Sequence, residues 1–235
     1  MTRVVFWDID GTLLTTARAG VFALEDAARE VLGVDTGFAE LRTSGLTDWE
    51  VAALAIRTAG HGDDARTVGA FLRAYERNLP RRLHMRRGRV LPGAVEILEY
   101  FDGRVDPVSL LLTGNTPDGA RAKLSHYGIE RYFRGGAFCV DGAERVEIAQ
   151  RAVAIAAEWI GAAPEPGAVT VVGDTPADVL CGEAIGARTV AIASGAYSRE
   201  ELEAHSPSVV LDRFPAPHEF DALLAASGAA PDGRA

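Results

Sequence analysis

The chain reads as an α/β protein: a Rossmann-like parallel sheet sandwiched by helices, with an all-helical domain inserted after the first strand. Two observations predict this. Short Val- and Ile-rich runs alternate with longer helical patterns over most of the sequence, the mark of a parallel sheet covered on both faces. Between the first and second runs, about seventy residues carry helical periodicity and no strand, too many for one crossover connection. A length of 235 residues with 48% hydrophobic content is enough for a sizeable core.

Taken in order, Arg3 to Trp7 reads as a buried strand. Val21–Leu32, Asp48–Thr58 and Ala65–Leu79 read as amphipathic helices with polar breaks between them. Val108 to Leu112 is the second strand, Ala137 to Val140 a weaker third and Ala168 to Val172 a fourth. Arg188 to Ala193 is a fifth strand, and Ser208 to Leu211 a sixth. Ala94–Phe101, Asp118–Tyr127, Glu144–Ile160 and Ala177–Ile185 are the intervening helices, followed by Gly103, Gly128, Gly161 and Gly186. The expected division is therefore a core from 1–16 and 89–225, a helical domain over 17–88, and a flexible tail over 226–235.

The formal net charge of -9 argues against broad contact with nucleic-acid phosphates. The two cysteines, Cys139 and Cys181, have neither CxxC nor zinc spacing. The N-terminal segment lacks the pattern of a signal peptide, and no run reaches the length of a membrane span. The expectation is a soluble cytoplasmic protein, monomer or homodimer, acting on a small molecule.

Three strands end in polar clusters. The first gives Asp8-Ile9-Asp10-Gly11-Thr12-Leu13. Residues two apart in an extended chain share a side, so Asp8 and Asp10 form a carboxylate pair at a buried strand edge. That is costly without a cation or hydrogen bonds. The second ends in Thr113-Gly114-Asn115, a hydroxyl, an approachable backbone and an amide suited to phosphate oxygens. The fourth ends in Gly173-Asp174-Thr175-Pro176-Ala177-Asp178, where Pro176 can start a helix and Asp178 lies one turn in. The oxygen-ligand pattern of a calcium loop is not continued after Asp10. In open parallel sheets, ligands bind at the carboxyl ends of the strands.

These three motifs, in this order, resemble the haloacid dehalogenase (HAD) superfamily over nearly the whole chain. The helical insertion after the first motif is similar to the cap of its phosphoglycolate phosphatase-like branch. The resemblance implies a strand order 5-4-1-2-3, with strands one and four adjacent. It also implies a magnesium-dependent phosphatase that hydrolyses a small phosphate monoester through an aspartyl-phosphate. Asp8 would be the nucleophile and a metal ligand. Asp10 would be the general acid and base, its carbonyl also binding the metal. Thr113, Gly114 and Asn115 would hold the phosphoryl group; Asp174 would bind the metal and Asp178 would support it.

One departure stands out. The lysine that the family places before the fourth strand is missing, and Arg145 occupies about its position. Arg151 and, more distantly, Lys123 are the other candidates. Arginine binds phosphate oxygens bidentately, so the exchange is chemically reasonable. In the cap, Gly45-Leu46-Thr47-Asp48 is similar to a segment that faces the active site in phosphoglycolate phosphatase relatives. Thr47 and Asp48 are then substrate candidates, with Arg42 or Arg18 for a substrate carboxylate, although Thr47 or Asp48 also suits a helix cap. A phosphomutase is the nearest alternative function; a catalytically retired binding protein is a more distant one.

Overall fold

The computed structural model describes residues 2–226. The chain runs through β1 (Val4–Trp7), β2 (Leu14–Thr15), α1 (Ala19–Val31), α2 (Asp48–Thr58) and α3 (Ala65–His84). It continues with β3 (Arg89–Val90), α4 (Ala94–Phe101), β4 (Val108–Leu112), α5 (Pro117–His126), β5 (Gly136–Ala137) and α6 (Arg145–Ile160). It closes with β6 (Val169–Gly173), α7 (Pro176–Ala184), β7 (Arg188–Ile192), α8 (Arg199–Glu203), β8 (Val209–Leu211) and α9 (Pro217–Ala225). The expected tail, from 227 onward, lies outside the described residues.

Six strands form one parallel sheet in the order β5-β4-β1-β6-β7-β8. Counting only the strands of this sheet, that is the expected 3-2-1-4-5 arrangement, with a sixth at the edge. The strand β1 sits in the middle and is buried on both sides. Val5, Trp7 and Ile9 enter one hydrophobic cluster with α4, α5 and α9. Val4 and Phe6 enter another with α6 and α7. The two-residue period of an extended chain thus turns Asp8 toward the α6 and α7 side.

The helices α1, α2 and α3 have their own apolar cluster, including Leu24, Phe38, Ile56, Phe71, Leu79 and Leu83. Their borders follow local chemistry. The helix α2 starts on a capping box: Thr47 Oγ1 accepts from Glu50 N at 3.3 Å, and Thr47 N donates to Glu50 Oε2 at 2.8 Å. Asp64 caps α3 by accepting from Arg66 N and Thr67 N. The sequence predicts that α3 stops at Leu79, before Pro80. It runs on to His84 because Leu79 and Leu83 are both fully buried on its apolar face. Burying Leu83 is worth about 1.5–3 kcal/mol, comparable to the roughly 3 kcal/mol that an interior proline costs.

The chain leaves and re-enters the sheet domain through the short antiparallel pair of β2 and β3, Leu14 opposite Val90 and Thr15 opposite Arg89. Periodicity gives no sign of so short a pair. The expected third strand, Ala137 to Val140, shortens to Gly136–Ala137. Left-handed residues at Asp141 and Gly142 (φ 52° and 76°) turn the chain into α6.

A buried charge holds the helical cluster together at its base. Asp26 is 6% exposed and accepts from Arg82 Nε at 2.6 Å, Arg81 Nη2 at 2.9 Å and Arg29 Nη1 at 3.0 Å. The Arg82 hydrogen bond, above all, pulls the Asp26 carboxyl down to about 2. Arg81 and Arg82, in the arginine-rich end of α3, are therefore structural. A depressed carboxylate stabilises the fold fully above its unfolded pKa of about 4 and loses that contribution as pH falls toward 2. Since Arg29 and Arg81 are more than half exposed, the effect is on the order of 1–2 kcal/mol. Asp26→Ala should lower the melting temperature by about 3–6 °C at pH 7. The gap to wild type should narrow at pH 3, measured by calorimetry. An equal gap at both pH values would show that packing, and not charge, links these helices.

Candidate active site

The site is built from the carboxyl ends of β1, β4 and β6, with helices approaching from two sides. Register brings the first pair together. Trp7 pairs with Val172, and the next residue, Asp8, donates its N–H to Val172 O at 3.0 Å. Asp8 and Asp174 therefore emerge beside each other, 5% and 2% exposed. With Asp178 they place carboxylate oxygens within 4.8 Å of one another.

Glycines make this crowding possible. Gly11 turns the chain at φ 83°, and a Cβ there would lie 2.2 Å from Asp174 Oδ2. A Cβ at Gly195 would lie 1.6 Å from the same oxygen. Two backbone segments thus close over one carboxylate, and Ser194 Oγ ties them by donating to Gly11 O at 2.7 Å. Thr12 Oγ1 donates to Asp174 Oδ1 at 3.0 Å.

The electrostatics are unbalanced. Burial, then the charge of Asp178, raises the Asp8 carboxyl to about 7, with Arg145 and a hydrogen bond from Thr113 opposing. Burial, then Asp8 and Asp178, holds the Asp174 carboxyl well above its ordinary range. Two carboxylates 4 Å apart repel by about 4 kcal/mol at an effective dielectric of 20. Asp178 is already committed: Oδ2 accepts from Thr175 N at 3.0 Å and Thr175 Oγ1 at 2.7 Å, and Oδ1 from Arg145 Nη1 at 3.0 Å. It caps α7 and anchors the arginine, and so supports the cluster as well as contributing an oxygen to it. Asp8, Asp174 and Asp178 make an all-oxygen set with excess negative charge. That donor chemistry fits a hard divalent cation such as magnesium.

Arg145, the first residue of α6, is 16% exposed and pairs with Asp178 beside Asp8. Burial opposes its charge, but Asp178 and then Asp8 outweigh that and hold the guanidinium protonated. Among the described residues its buried Nε has no hydrogen-bond partner, and its Nη2 lies 3.1 Å from where a Cβ of Gly114 would be. An unpaired guanidinium N–H beside the Thr113 turn suits an anion. Arg151 is elsewhere: it is exposed and donates to Phe138 O at 2.8 Å.

Lys123 is the larger surprise. It is 4% exposed, bonds to the Asp10 carboxylate and donates to Asn115 Oδ1 at 2.8 Å. Asn115 Nδ2 in turn donates to Asp10 Oδ2 at 3.0 Å. The pair fixes a carboxylate whose side chain remains 41% exposed. Lys123 lies eight residues past Asn115, two turns along α5, and that spacing on a helix opening from a strand edge was the available signal. In sequence Lys123 is a distant candidate for the phosphate cation, while Thr12 and the Ser194-Gly195 turn are missed; small residues just past β7 are the hint there.

The helical domain closes the site through α2. Asp48 N donates to Gly114 O at 2.7 Å, and Asp48 Oδ2 accepts from Thr116 N at 2.7 Å. A Cβ at Gly114 would come 3.0 Å from Leu46 O and Thr47 Cα. Between the two parts lies a cavity of about 330 Å³ lined by Asp8, Asp10, Asp48, Lys123, Arg145 and Asp174, among others. Thr47 does not line it, because its hydroxyl is used in the capping box. Arg42 is exposed and outside it; Arg18 stands at its edge and donates to Ala39 O at 2.7 Å.

Residues 2–186 match the family model described as haloacid dehalogenase-like hydrolase. The chain is 27% identical over 223 residues to "Probable phosphatase IndB" of Dickeya dadantii (strain 3937), covering 91% of each. Its fold is similar to that of CbbY from Rhodobacter sphaeroides, solved in complex with phosphate (TM-score 0.74, 19% identity, 91% and 95% of the two chains). It is also similar to a predicted phosphoglycolate phosphatase from Haemophilus somnus 129PT (TM-score 0.72, 15% identity, 94% and 98%).

Gly195→Ala should displace Asp174 and remove cation binding. In wild type, magnesium at about a hundredfold excess over Kd should raise the melting temperature by about 5–10 °C. In the variant the rise should vanish. An undiminished rise in the variant would take Asp174 out of the cation site.

Proposed function

The chain belongs to the haloacid dehalogenase-like hydrolases, and from that premise we propose a magnesium-dependent phosphatase that hydrolyses a small phosphate monoester through an aspartyl-phosphate on Asp8. One observation carries the reading. Two buried carboxylates with no ion pair of their own among the described residues, Asp8 and Asp174, share a cavity with a buried guanidinium whose Nε has no partner. The phosphate bound to CbbY and the name of the Dickeya relative support it.

A magnesium ion held by Asp8, Asp174 and the Asp10 carbonyl would cancel the repulsion between the ester and Asp8. The chain's own groups do the rest. An Asp8 oxygen attacks phosphorus and the bond to the leaving alcohol breaks. Asp10 gives its proton to the departing oxygen. Asp10 then takes a proton from water, which attacks the aspartyl-phosphate; the bond to Asp8 breaks and phosphate is released. Lys123 and Asn115 keep Asp10 in one orientation through both halves. Arg145 and the Thr113-Gly114-Asn115 turn bind the phosphoryl oxygens.

The likeness of the cap segment favours phosphoglycolate. Of the two arginines that would receive its carboxylate, Arg42 is outside the cavity.

Asp8→Asn should lower phosphate release by at least about a thousandfold and abolish acid-stable labelling of the protein by radioactive substrate. Hydrolysis at the wild-type rate would remove Asp8 from the nucleophile role. Asp10→Asn should reduce turnover of alkyl phosphates more than that of p-nitrophenyl phosphate, whose leaving group needs no proton. Equal losses on the two esters would point away from Asp10 as the acid.

A further inference from the structure

The wall of the cavity that faces away from the sheet determines which alcohol can leave. Val21, Leu24, Leu46, Val51 and Tyr75 contribute to it, all of them members of, or packed against, the helical domain's apolar cluster. The uncharged polar lining on this side is Thr15, Thr16, Thr43 and Ser44. The charges are already engaged. Lys123 is bound to Asp10 and Asn115, and Arg145 to Asp178 at the phosphoryl end. Arg18 is exposed at the edge, tied to a backbone carbonyl, and its charge is screened by water. The remaining charged group on the wall is the carboxylate of Asp48, itself held by Thr116 N.

A second anionic group on the substrate would therefore leave water, find both buried cations already paired with carboxylates, and face Asp48. Burying a charge without a partner is strongly unfavourable. An apolar body would instead cover four aliphatic side chains and a tyrosine ring. At about 330 Å³ the cavity is at the small end of ligand sites.

We propose that the substrate is the phosphate monoester of an uncharged alcohol carrying a compact apolar ring or chain, and not a phosphorylated carboxylic acid. This deepens the phosphatase reading and rests on it. It replaces phosphoglycolate as the expected substrate class.

Benzyl phosphate and phosphoglycolate, both esters of primary alcohols, separate the two classes. Wild-type enzyme with magnesium should show kcat/KM at least about tenfold higher for benzyl phosphate, since a single apolar group in such a pocket discriminates by roughly 10–200-fold. Val21→Arg, at a half-buried position of α1 on the cavity wall, supplies the missing cation. It should lower the ratio of benzyl phosphate to phosphoglycolate by about tenfold or more. If that variant fails to fold, the wild-type ratio alone decides. A ratio of one or less in wild type overturns the proposal, while release of phosphate from p-nitrophenyl phosphate in the same samples leaves the phosphatase reading intact. No hydrolysis of any of the three esters overturns both.

Discussion

The structure depends on one costly contact: the carboxylates of Asp8 and Asp174, side by side and almost fully buried at the edges of β1 and β6. Nothing in folding favours two like charges there. They are held by the strongest constraint available, the parallel register of two central strands packed on both faces. Gly11 and Gly195 close the backbone over Asp174, and Thr12 donates to it. This is a site where stability is given up for chemistry. The excess of negative charge is also what makes the site receptive to a hard cation, because the repulsion among its carboxylates is relieved when one binds.

A second constraint joins the cap to that centre. Asp48 reaches from the start of α2 to both Gly114 and Thr116, so the lid of the cavity is fastened to the loop proposed to hold the phosphoryl group. The missing side chain at Gly114 allows the cap backbone within van der Waals distance. Lys123 performs a similar service on the opposite side. It sits on α5, which packs against α3 of the cap, and its ammonium group ends at Asp10. The same side chains that define the cavity therefore also hold its two halves together. This is why the cap residues nearest the site are mostly committed to structure.

Several residues were legible as chemistry before any coordinates. The two Asp residues of the first motif, the Thr113 turn and Asp174 stand at strand ends, where an α/β sheet displays its ligand groups. Arg145 was legible as a cation at a helix start near the right place, but not as the one with an open N–H. Other assignments needed the fold. Thr47 sits in a suggestive segment, yet its hydroxyl closes a capping box. Arg42 directly precedes the cavity-lining Thr43 and is nonetheless exposed outside the lining. Lys123 follows the second motif by two helical turns, but only the fold shows that its ammonium group ends at Asp10.

The sequence by itself determined the alternation of buried strands and helices, the position of the helical insertion and the carboxylates at the strand edges. These are properties of local hydrophobic period and backbone preference, which a single segment carries alone. The tertiary structure decided which of the candidate cations meet which carboxylates, that α3 outlasts its proline, and that the cap wall is apolar with the half-buried Asp48 as its charged group. Those outcomes depend on contacts between residues tens of positions apart. No local pattern encodes such distances, because they are set by sheet register and by how two separate hydrophobic clusters close on one cavity.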